Sequence, residues 1–454
     1  MAVFRKLACA GAALLALSSP ARADEGPPDP AAIERGRIAL TQTGHLSPHW
    51  KAETYAKAGT VWGGPDPTSD PDGYAAAFNR RYGLHPAPYP NDGLPMGLRR
   101  GVTRAGKKEG INVDCMICHG GSIGGTSIVG LGNSTLDMKT LFEDLDKAEG
   151  RPYFPAPFVV NTARGTVNAG QMAVFLISLR NPDFSRRKFP LPLGANYPEL
   201  DPPAWWLLGK KETMYQDGRT PAASVRTNMQ FVMGEKSLDQ LKALEPTFAD
   251  IQAYLKSLKP PKYPFPVDST LADRGRVVFE KTCTKCHGTY GPDGDYPNAV
   301  VDLKTIGTDP ARAHGTTRKA VEHYNSTWLG EKHPADPDPE VIGYQAPPLD
   351  GVWATAPYLH NGSVPTLHAL LNSTERPRVF RRHETTDFAD YDRTNVGWAV
   401  KPLDEAPAAG TLPGREARFI YDTARFGLGN GGHTFGDKLA EPDRMAVIEY
   451  LKTL

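Results

Sequence analysis

The sequence predicts a mainly α-helical fold of two similar domains with long irregular loops. Three observations predict it: the motif Cys-x-x-Cys-His occurs twice, similar segments open and close each half of the chain, and glycine and proline are abundant. The 454 residues include 45 Gly and 42 Pro, which favours short helices separated by loops. This length is enough for two or three domains with cores of their own.

The two motifs, Cys115–His119 and Cys283–His287, are typical of c-type haem attachment. Two thiols three positions apart can each bond one vinyl group of a porphyrin, and the adjacent imidazole then reaches the iron. A single motif could instead be a zinc or thiol-redox site, but zinc needs four ligands at one place and these two pairs are far apart in sequence. We therefore predict two covalently bound c-type haems. Cys115, Cys118, Cys283 and Cys286 bind the porphyrins, and His119 and His287 bind iron. Calcium is compatible with such a protein, but no motif indicates it.

Residues 1–23 have the pattern of a secretory signal peptide. Arg5 and Lys6 precede an apolar run from Leu7 to Leu17, and Ala21-Arg22-Ala23 gives a cleavage pattern of small residues. The run is too short for a membrane span, which needs about 20 residues. The fifth cysteine, Cys9, lies within this segment. We expect a periplasmic or secreted protein with no membrane span after signal removal, since c-type haem is attached outside the cytoplasm.

The balance of charge does not favour nucleic acid or an anionic membrane as a partner. With 52 basic and 51 acidic residues, the net charge of +1 gives no electrostatic reason to bind nucleic acid or an anionic membrane. The haem motifs point instead to a redox partner protein or a small electron donor.

An internal repeat sets the domain boundaries. Glu34–Leu40 resembles Asp273–Phe279, and Ile251–Leu258 resembles Ile448–Leu454. The closing segments have helical spacing of apolar residues. The proline-rich stretch after the first of them reads as a linker. We predict an N-terminal domain over 24–258, a linker over 259–270 and a C-terminal domain over 271–454. Residues 62–98 form an insertion in the first domain, either a functional lid or a loop that covers the haem edge.

The paired opening and closing helices resemble those of the cytochrome c fold, which cross beside the haem. The stretch Ala346–Leu367, with its Ala-Pro-Tyr-Leu-His-Asn-Gly-Ser sequence, resembles the bacterial di-haem cytochrome c peroxidase superfamily. The likeness is closer to the rubber-oxygenase-like di-haem cytochromes, and Ile128–Asp137, Pro203–Leu208 and the Gly-His-x-Phe-Gly loop around His433 add to it. The resemblance implies two cytochrome c-like haem domains. The chain is shorter than the rubber-cleaving members, so it implies no substrate.

The sixth ligand of each iron separates an electron carrier from an enzyme. No histidine lies between His119 and His287, so the first haem has Met, a histidine from elsewhere, another residue type or nothing on its distal side. The candidates are Met138, Met172, Met214, Met229, Met233, His45, His49 and His85. For the second haem, His433 lies in a glycine-rich loop that can approach a porphyrin closely, although a loop histidine is ordinarily solvated. The resemblance implies that His433 is the distal ligand and that the first haem is the one open to oxygen.

Three aromatic residues are candidate catalytic groups by resemblance. A tryptophan lies near or between the haems in these proteins, so Trp205 or Trp206 is a stepping stone for electrons or a pocket wall, with a core aromatic pair as the alternative. Tyr358 matches the tyrosine of the shared loop and is expected to donate a hydrogen bond near the haem rather than to bind iron.

The sequence thus predicts a periplasmic di-haem oxidoreductase. The haem with His287 and His433 relays electrons, and the haem with His119 reacts with peroxide or dioxygen. The alternative is a pure electron-transfer cytochrome with both haems six-coordinate and no substrate. A haem-based sensor is a third hypothesis.

Overall fold

The computed structural model describes residues 29–103, 106–153, 156, 159 and 161–454. The predicted signal peptide, with Cys9, lies outside the described residues. The part of the chain that is described is mainly helical with short strands, which confirms the predicted fold class at that level.

The N-terminal half contains nine α-helices among its described residues. They are α1 Pro30–Gln42, α2 Thr54–Lys57, α3 Gly59–Trp62, α4 Pro71–Tyr82, α5 Met116–His119, α6 Met138–Ala148, α7 Ala169–Ser178, α8 Val225–Met229 and α9 Leu238–Ser257. Short 3-10 helices cover Trp205–Lys210 and Gln230–Val232. The six strands of this half form three antiparallel pairs: β1 Leu98–Val102 with β2 Lys108–Val113, β3 Gly120–Ile123 with β4 Thr126–Val129, and β5 Thr213–Met214 with β6 Thr220–Pro221.

The C-terminal half contains eight α-helices. They are α10 Ser269–Thr282, α11 Thr284–His287, α12 Leu303–Ile306, α13 Ala311–Gly315, α14 Arg318–Asn325, α15 Leu367–Leu371, α16 Gly414–Ala417 and α17 Glu441–Leu451. Two 3-10 helices cover Val352–Ala354 and Ser373–Glu375. The strands are β7 Val300–Asp302, β8 Gly343–Gln345, β9 Val379–Arg381, β10 Tyr391–Asp392, β11 Gly397–Trp398, β12 Lys401–Leu403 and β13 Ile420–Asp422. β7 pairs with β8, β10 pairs with β11, and β12, β9 and β13 form one sheet in that order, all antiparallel.

Local sequence explains where the long helices begin and end. The side chains of Asp29 and Asp268 accept hydrogen bonds from backbone N–H groups at the first turns of α1 and α10. Ser237 and Gln240 form a reciprocal capping box at the start of α9. α9 ends just before Pro260-Pro261, and residues 258–268 contain no helix or strand.

The repeated segments pair as helices in each half. α1 packs against α9, and α10 packs against α17. Both crossings occur at a glycine of the repeat. A Cβ atom at Gly36 would lie 1.9 Å from the Asp250 carbonyl oxygen, and one at Gly275 would lie 1.8 Å from that of Ala446. Any side chain would push the helices apart, so these glycines permit the two close crossings.

The insertion over residues 62–98 builds a core of its own. Tyr74, Phe78 and Tyr82 of α4 are buried against Leu141 and Leu145 of α6. None of residues 62–98 lines the large internal cavity described below. The insertion therefore extends the hydrophobic core of the N-terminal half.

A buried polar network joins the two halves beside this core. His85 Nδ1 is 2.8 Å from the Ser122 hydroxyl, and its Nε2 lies near the Asn133 side-chain oxygen and the Thr135 hydroxyl. Ser122 is in turn hydrogen-bonded to Thr386 of the C-terminal half. Both nitrogens of the neutral ring thus have hydrogen-bond partners, and none of these partners is charged.

This network predicts a pH-dependent stability. Burial lowers the pKa of His85 to about 4, against 6.5 for an exposed histidine. Below about pH 6.5 the unfolded chain therefore binds a proton that the folded chain does not, and stability falls as the pH falls towards 4, by roughly 3 kcal/mol from this group. Between pH 6.5 and pH 4 the free energy of unfolding should decrease less in His85→Gln than in the parent protein. Urea titration at each pH measures it.

His314→Gln is the matched control, because His314 is exposed on α13. It should leave the pH dependence as in the parent protein. An unchanged slope in His85→Gln would show that other groups govern acid stability.

Candidate functional site

All four cysteines and both histidines of the two motifs line one cavity. Its volume is about 1070 Å³, above the range of about 300–1,000 Å³ usual for small-molecule sites. Its walls are largely apolar and come from both halves; they include Phe142, Met172, Val174, Ile177, Phe231, Phe248, Val300, Ile306, Leu359, Leu370, Leu439 and Val447. α7 is strongly apolar but only half-buried, because one of its faces opens to the cavity. The space therefore suits large apolar groups.

Each motif folds as a short helical turn that places its histidine on the cavity. The four thiols are free, and burial raises the pKa of Cys115 and of Cys118 to about 12. The His119 Nδ1 donates to the Pro203 carbonyl at 3.1 Å, and the His287 Nδ1 donates to the Pro347 carbonyl at 2.9 Å. A carbonyl only accepts, so each ring carries its proton on Nδ1 and keeps the Nε2 lone pair for a metal.

His433 faces His287 in the region of the cavity next to the second motif. The two ring centroids are 6.2 Å apart at an interplanar angle of 63°. An imidazole nitrogen binds a metal at about 2.0–2.1 Å, so two rings on opposite sides of one ion have centroids about 6–6.5 Å apart. Nδ1 of His433 is buried without a hydrogen-bond partner among the described residues. The separation of the rings equals the one that a shared metal requires.

Hydrogen bonds to its backbone carbonyls and N–H groups hold the loop that carries His433. The Arg376 guanidinium donates to the carbonyls of Asn430, Gly432 and His433 at 2.8, 2.6 and 3.2 Å. The His433 N–H donates to the Ile306 carbonyl at 2.7 Å, and His433 has a positive φ of 47°. These bonds hold the backbone at His433 and so restrict where its ring can lie.

A second set of hydrogen bonds comes from the Asn-Gly-Ser of the shared signature. The Asn361 side-chain amide donates to the carbonyls of Gly427 and Gly429 at 2.9 and 2.8 Å, and the Ser363 hydroxyl donates to Gly429 at 3.2 Å. Sequence reasoning missed the roles of Asn361, Ser363 and Arg376. The signature itself was the available signal, because it contains two of the three.

The two tryptophans have different surroundings. The Trp205 ring stacks on His119 with centroids 4.5 Å apart and an angle of 22°, and it lines the cavity. Trp206 is buried in the core outside the cavity lining, where its indole N–H donates to the Asp350 carbonyl at 2.8 Å. Trp205 is thus the pocket wall of the pair, and Trp206 is a core aromatic residue that contacts the loop after Pro347.

Tyr358 lines the cavity, but its hydroxyl is directed to the backbone. The oxygen is 3.2 Å from the Val352 carbonyl and 3.3 Å from the Val396 carbonyl, and the side chain is buried. Tyr358 thus places its ring on the cavity wall and uses its hydroxyl to hold neighbouring backbone.

The structure reduces the distal candidates of the first motif to four. His45, Met138, Met172 and Met214 line the cavity. Met229 and Met233 are buried in the core, His49 packs edge-on against Trp50, and His85 belongs to the polar network, so none of these four lines it. His45 Nε2 is 2.9 Å from the Ala39 carbonyl. Among the described residues, the ring in contact with His119 is Trp205, and no second imidazole faces it as His433 faces His287.

The comparisons with known proteins agree with a haem site. Residues 343–381 match the family model for RoxA-like, cytochrome c-like proteins. The chain thus has a cytochrome c-like region, and c-type haem is the cofactor of such regions. The match includes Pro347, whose carbonyl accepts from His287, and the signature residues that hold the His433 loop.

Two curated relatives come from Sinorhizobium fredii (strain NBRC 101917 / NGR234). The uncharacterized protein y4iM is 28% identical over 274 residues, 53% of this chain and 59% of the relative. The uncharacterized protein y4iJ is 28% identical over 263 residues, 43% of this chain and 41% of the relative. The chain therefore covers about half the length of these relatives. A crystal structure of a MauG-like protein associated with microbial copper homeostasis has 16% identity and a TM-score of 0.28, covering 67% of this chain and 95% of that one.

Proposed function

We propose that the chain is a di-haem c-type oxidoreductase. One haem is attached to Cys115 and Cys118 with His119 on its iron. The other is attached to Cys283 and Cys286 with His287 and His433 on its iron. The single cavity with both motifs on its walls, the free Nε2 lone pairs and the apolar lining support this assignment.

The observation that carries the function is the unequal surroundings of the two histidines. His433 is fixed at ligand distance from a metal on His287, whereas no imidazole is placed in this way for His119. When bound, haem supplies one-electron transfer, and an iron with an open position also reacts with peroxide or dioxygen. His433 would occupy the remaining position of an iron held by His287, so the site with His287 and His433 would serve electron relay and the site with His119 would supply the open position.

The chain's own residues keep the two imidazoles in the ligating form. The Pro203 and Pro347 carbonyls hold the Nδ1 protons of His119 and His287, which orients both rings and raises their basicity as ligands. The apolar walls lower the local dielectric constant and so strengthen electrostatic effects at the cavity surface.

A titration with cyanide tests the unequal access. We expect the purified protein to contain two covalent haems by mass, and cyanide to shift the spectrum of one haem while the other stays low-spin. Two low-spin haems indifferent to cyanide would overturn the proposal in favour of a pure electron carrier, with His45, Met138, Met172 or Met214 as the extra ligand.

Location and partners follow from the proposed cofactor. Attachment of c-type haem takes place outside the cytoplasm, so we infer a periplasmic or secreted protein that receives electrons from a redox partner protein or a small donor. Among the described residues, no helix has both the length and the apolar character of a bilayer span.

Electron transfer between the two sites is proposed to pass through Trp205 and Trp206. Trp205 stacks on His119, and the Trp206 indole binds the Asp350 carbonyl in the loop whose Pro347 binds His287. The two neighbouring indoles thus connect the surroundings of the two histidines.

We expect Trp205→Leu to slow electron transfer between the haems roughly tenfold, equivalent to about 1.4 kcal/mol in activation free energy. Pulse radiolysis followed at the absorption of each haem measures the rate. Trp206→Phe is the companion variant, which removes the bond to Asp350 and keeps the stack on His119, so a smaller change is expected. Equal rates in the parent protein and Trp205→Leu would place the route elsewhere.

A further inference from the structure

A cationic cluster lies on the cavity wall where the two halves meet. Lys211 and Arg219 come from the N-terminal half and Arg312 comes from α13, and all three line the cavity. Asp217 is the carboxylate beside them: its Oδ2 is 2.9 Å from Arg312 Nη1 and 3.7 Å from Arg219 Nε. Arg219 and Arg312 are buried. Burial lowers the pKa of Lys211 to about 8.

The cluster has an excess of positive charge, since three cations face one carboxylate. Other carboxylates of the cavity wall have partners of their own. Asp114 pairs with Arg99, Asp350 pairs with Lys210, Asp201 lies near the buried Arg382, and Asp302 caps α12. Buried charges are normally paired, so this surplus favours the binding of an anion in the cavity.

Unpartnered polar atoms lie in the same place. Arg312 Nε, which can only donate, is buried without a hydrogen-bond partner among the described residues, and so are His360 Nε2 and Asp217 Oδ1. The His360 ring is fixed by stacking on Tyr344 with centroids 4.1 Å apart, and Arg312 lies over the Tyr197 ring. Orphaned buried donors beside surplus cations are typical of a site for a carboxylate or phosphate.

We propose that this cationic cluster binds the propionate carboxylates of the haem attached at Cys283 and Cys286. The inference rests on the proposed haem binding and adds the anchoring residues and their effect on the iron. The guanidiniums are suited to bidentate contacts with a carboxylate, and Lys211 supplies a point charge.

The position of the cluster selects the second haem. The segment before Arg219 is tied to β8, because the Gln345 N–H donates to the Gln216 carbonyl at 2.7 Å, and Pro347, which binds His287, follows β8. α13 follows α12, and Ile306 at the end of α12 accepts from the His433 N–H. The cluster therefore adjoins the segments that place both histidines of this haem.

The charge of the cluster sets a direction for the redox effect. Net charge near a haem tunes its reduction potential, and nearby cations favour the ferrous state, which has one positive charge fewer. Loss of one cation should therefore lower the potential of this haem.

The test uses Lys211→Gln in the full di-haem protein. At a fixed applied potential we expect the ferric-to-ferrous ratio of the low-spin haem to rise about tenfold, which is about 59 mV for a one-electron couple. The propionate bending band in resonance Raman spectra should shift in the same variant. Lys211→Arg should restore both readouts because it keeps the charge.

Lys319→Gln is the control, since it removes an exposed lysine of α14 outside the cavity lining. It should leave the potential and the band unchanged, and Arg219→Gln serves as a second test variant. An unchanged band and potential in both test variants, or a shift confined to the other haem, would overturn the inference. Absence of two haems from the parent protein by mass would instead refute the proposed function.

Discussion

Under the proposed haem binding, His433→Ala is expected to convert the second haem from low-spin to high-spin. The variant removes the ring whose centroid is 6.2 Å from that of His287, so an iron held by His287 would have an open position. A six-coordinate haem with two imidazoles is low-spin, whereas a five-coordinate one is high-spin. Electronic absorption and electron paramagnetic resonance of the ferric protein measure the change, and cyanide should then bind at both haems.

The control for this variant is His314→Ala, which removes an exposed histidine of the same half. Its spectra should match those of the parent protein. Addition of imidazole to His433→Ala should restore the low-spin signal, because the cavity left by the side chain admits the free ligand. A low-spin spectrum in His433→Ala without added ligand would show that another residue binds this iron.

Gly275→Ala is expected to destabilise the protein by about 2 kcal/mol or more, since overpacking against rigid atoms costs about 1–3 kcal/mol and occasionally more. The new Cβ would lie 1.8 Å from the Ala446 carbonyl oxygen and 3.0 Å from Tyr450 Cβ, so α10 and α17 must move apart. Alanine gains about 1 kcal/mol in helix propensity, which the steric cost exceeds. Chemical denaturation followed by circular dichroism measures the loss.

Gly414→Ala is the matched control, because its new Cβ would have its nearest neighbour, Arg418 Nη1, at 3.5 Å, an ordinary van der Waals distance. We expect a change within about 0.5 kcal/mol. Gly36→Ala should behave like Gly275→Ala, since its Cβ would lie 1.9 Å from the Asp250 carbonyl oxygen. A Gly275→Ala protein as stable as its parent would mean that the helices accommodate a side chain at this crossing.

Some features of the fold were accessible from sequence because they depend on local pattern. The repeat around Gly36 and Gly275 predicted the opening helices, and the apolar spacing before Leu258 and Leu454 predicted the closing ones. Pairing of these helices followed from the likeness to a known fold. The motifs likewise fixed the haem-attachment candidates, since their chemistry requires neighbouring residues.

Other features depend on contacts between distant segments and were not predictable. Arg376 holds the His433 loop from a position 57 residues earlier in the chain, and the cationic cluster joins Lys211 to Arg312 across the two halves. Composition also did not indicate that the insertion with Tyr74 and Phe78 would pack against α6 without lining the cavity. Distance in sequence conceals such partners until the chain is folded.

Asp137 makes the N-terminal half depend on the C-terminal half for part of its stability. This fully buried carboxylate caps α6 of the N-terminal half, and its Oδ1 is 2.8 Å from Arg418 Nε of the C-terminal half. A fragment that ends after α9 would retain the carboxylate and lose the closer of its two cations, with only Arg164 Nη1 left at 4.0 Å from Oδ2. Breaking a buried pair costs about 3–5 kcal/mol. Although the halves repeat one helical plan, excising the first half for expression or redesign would therefore weaken it.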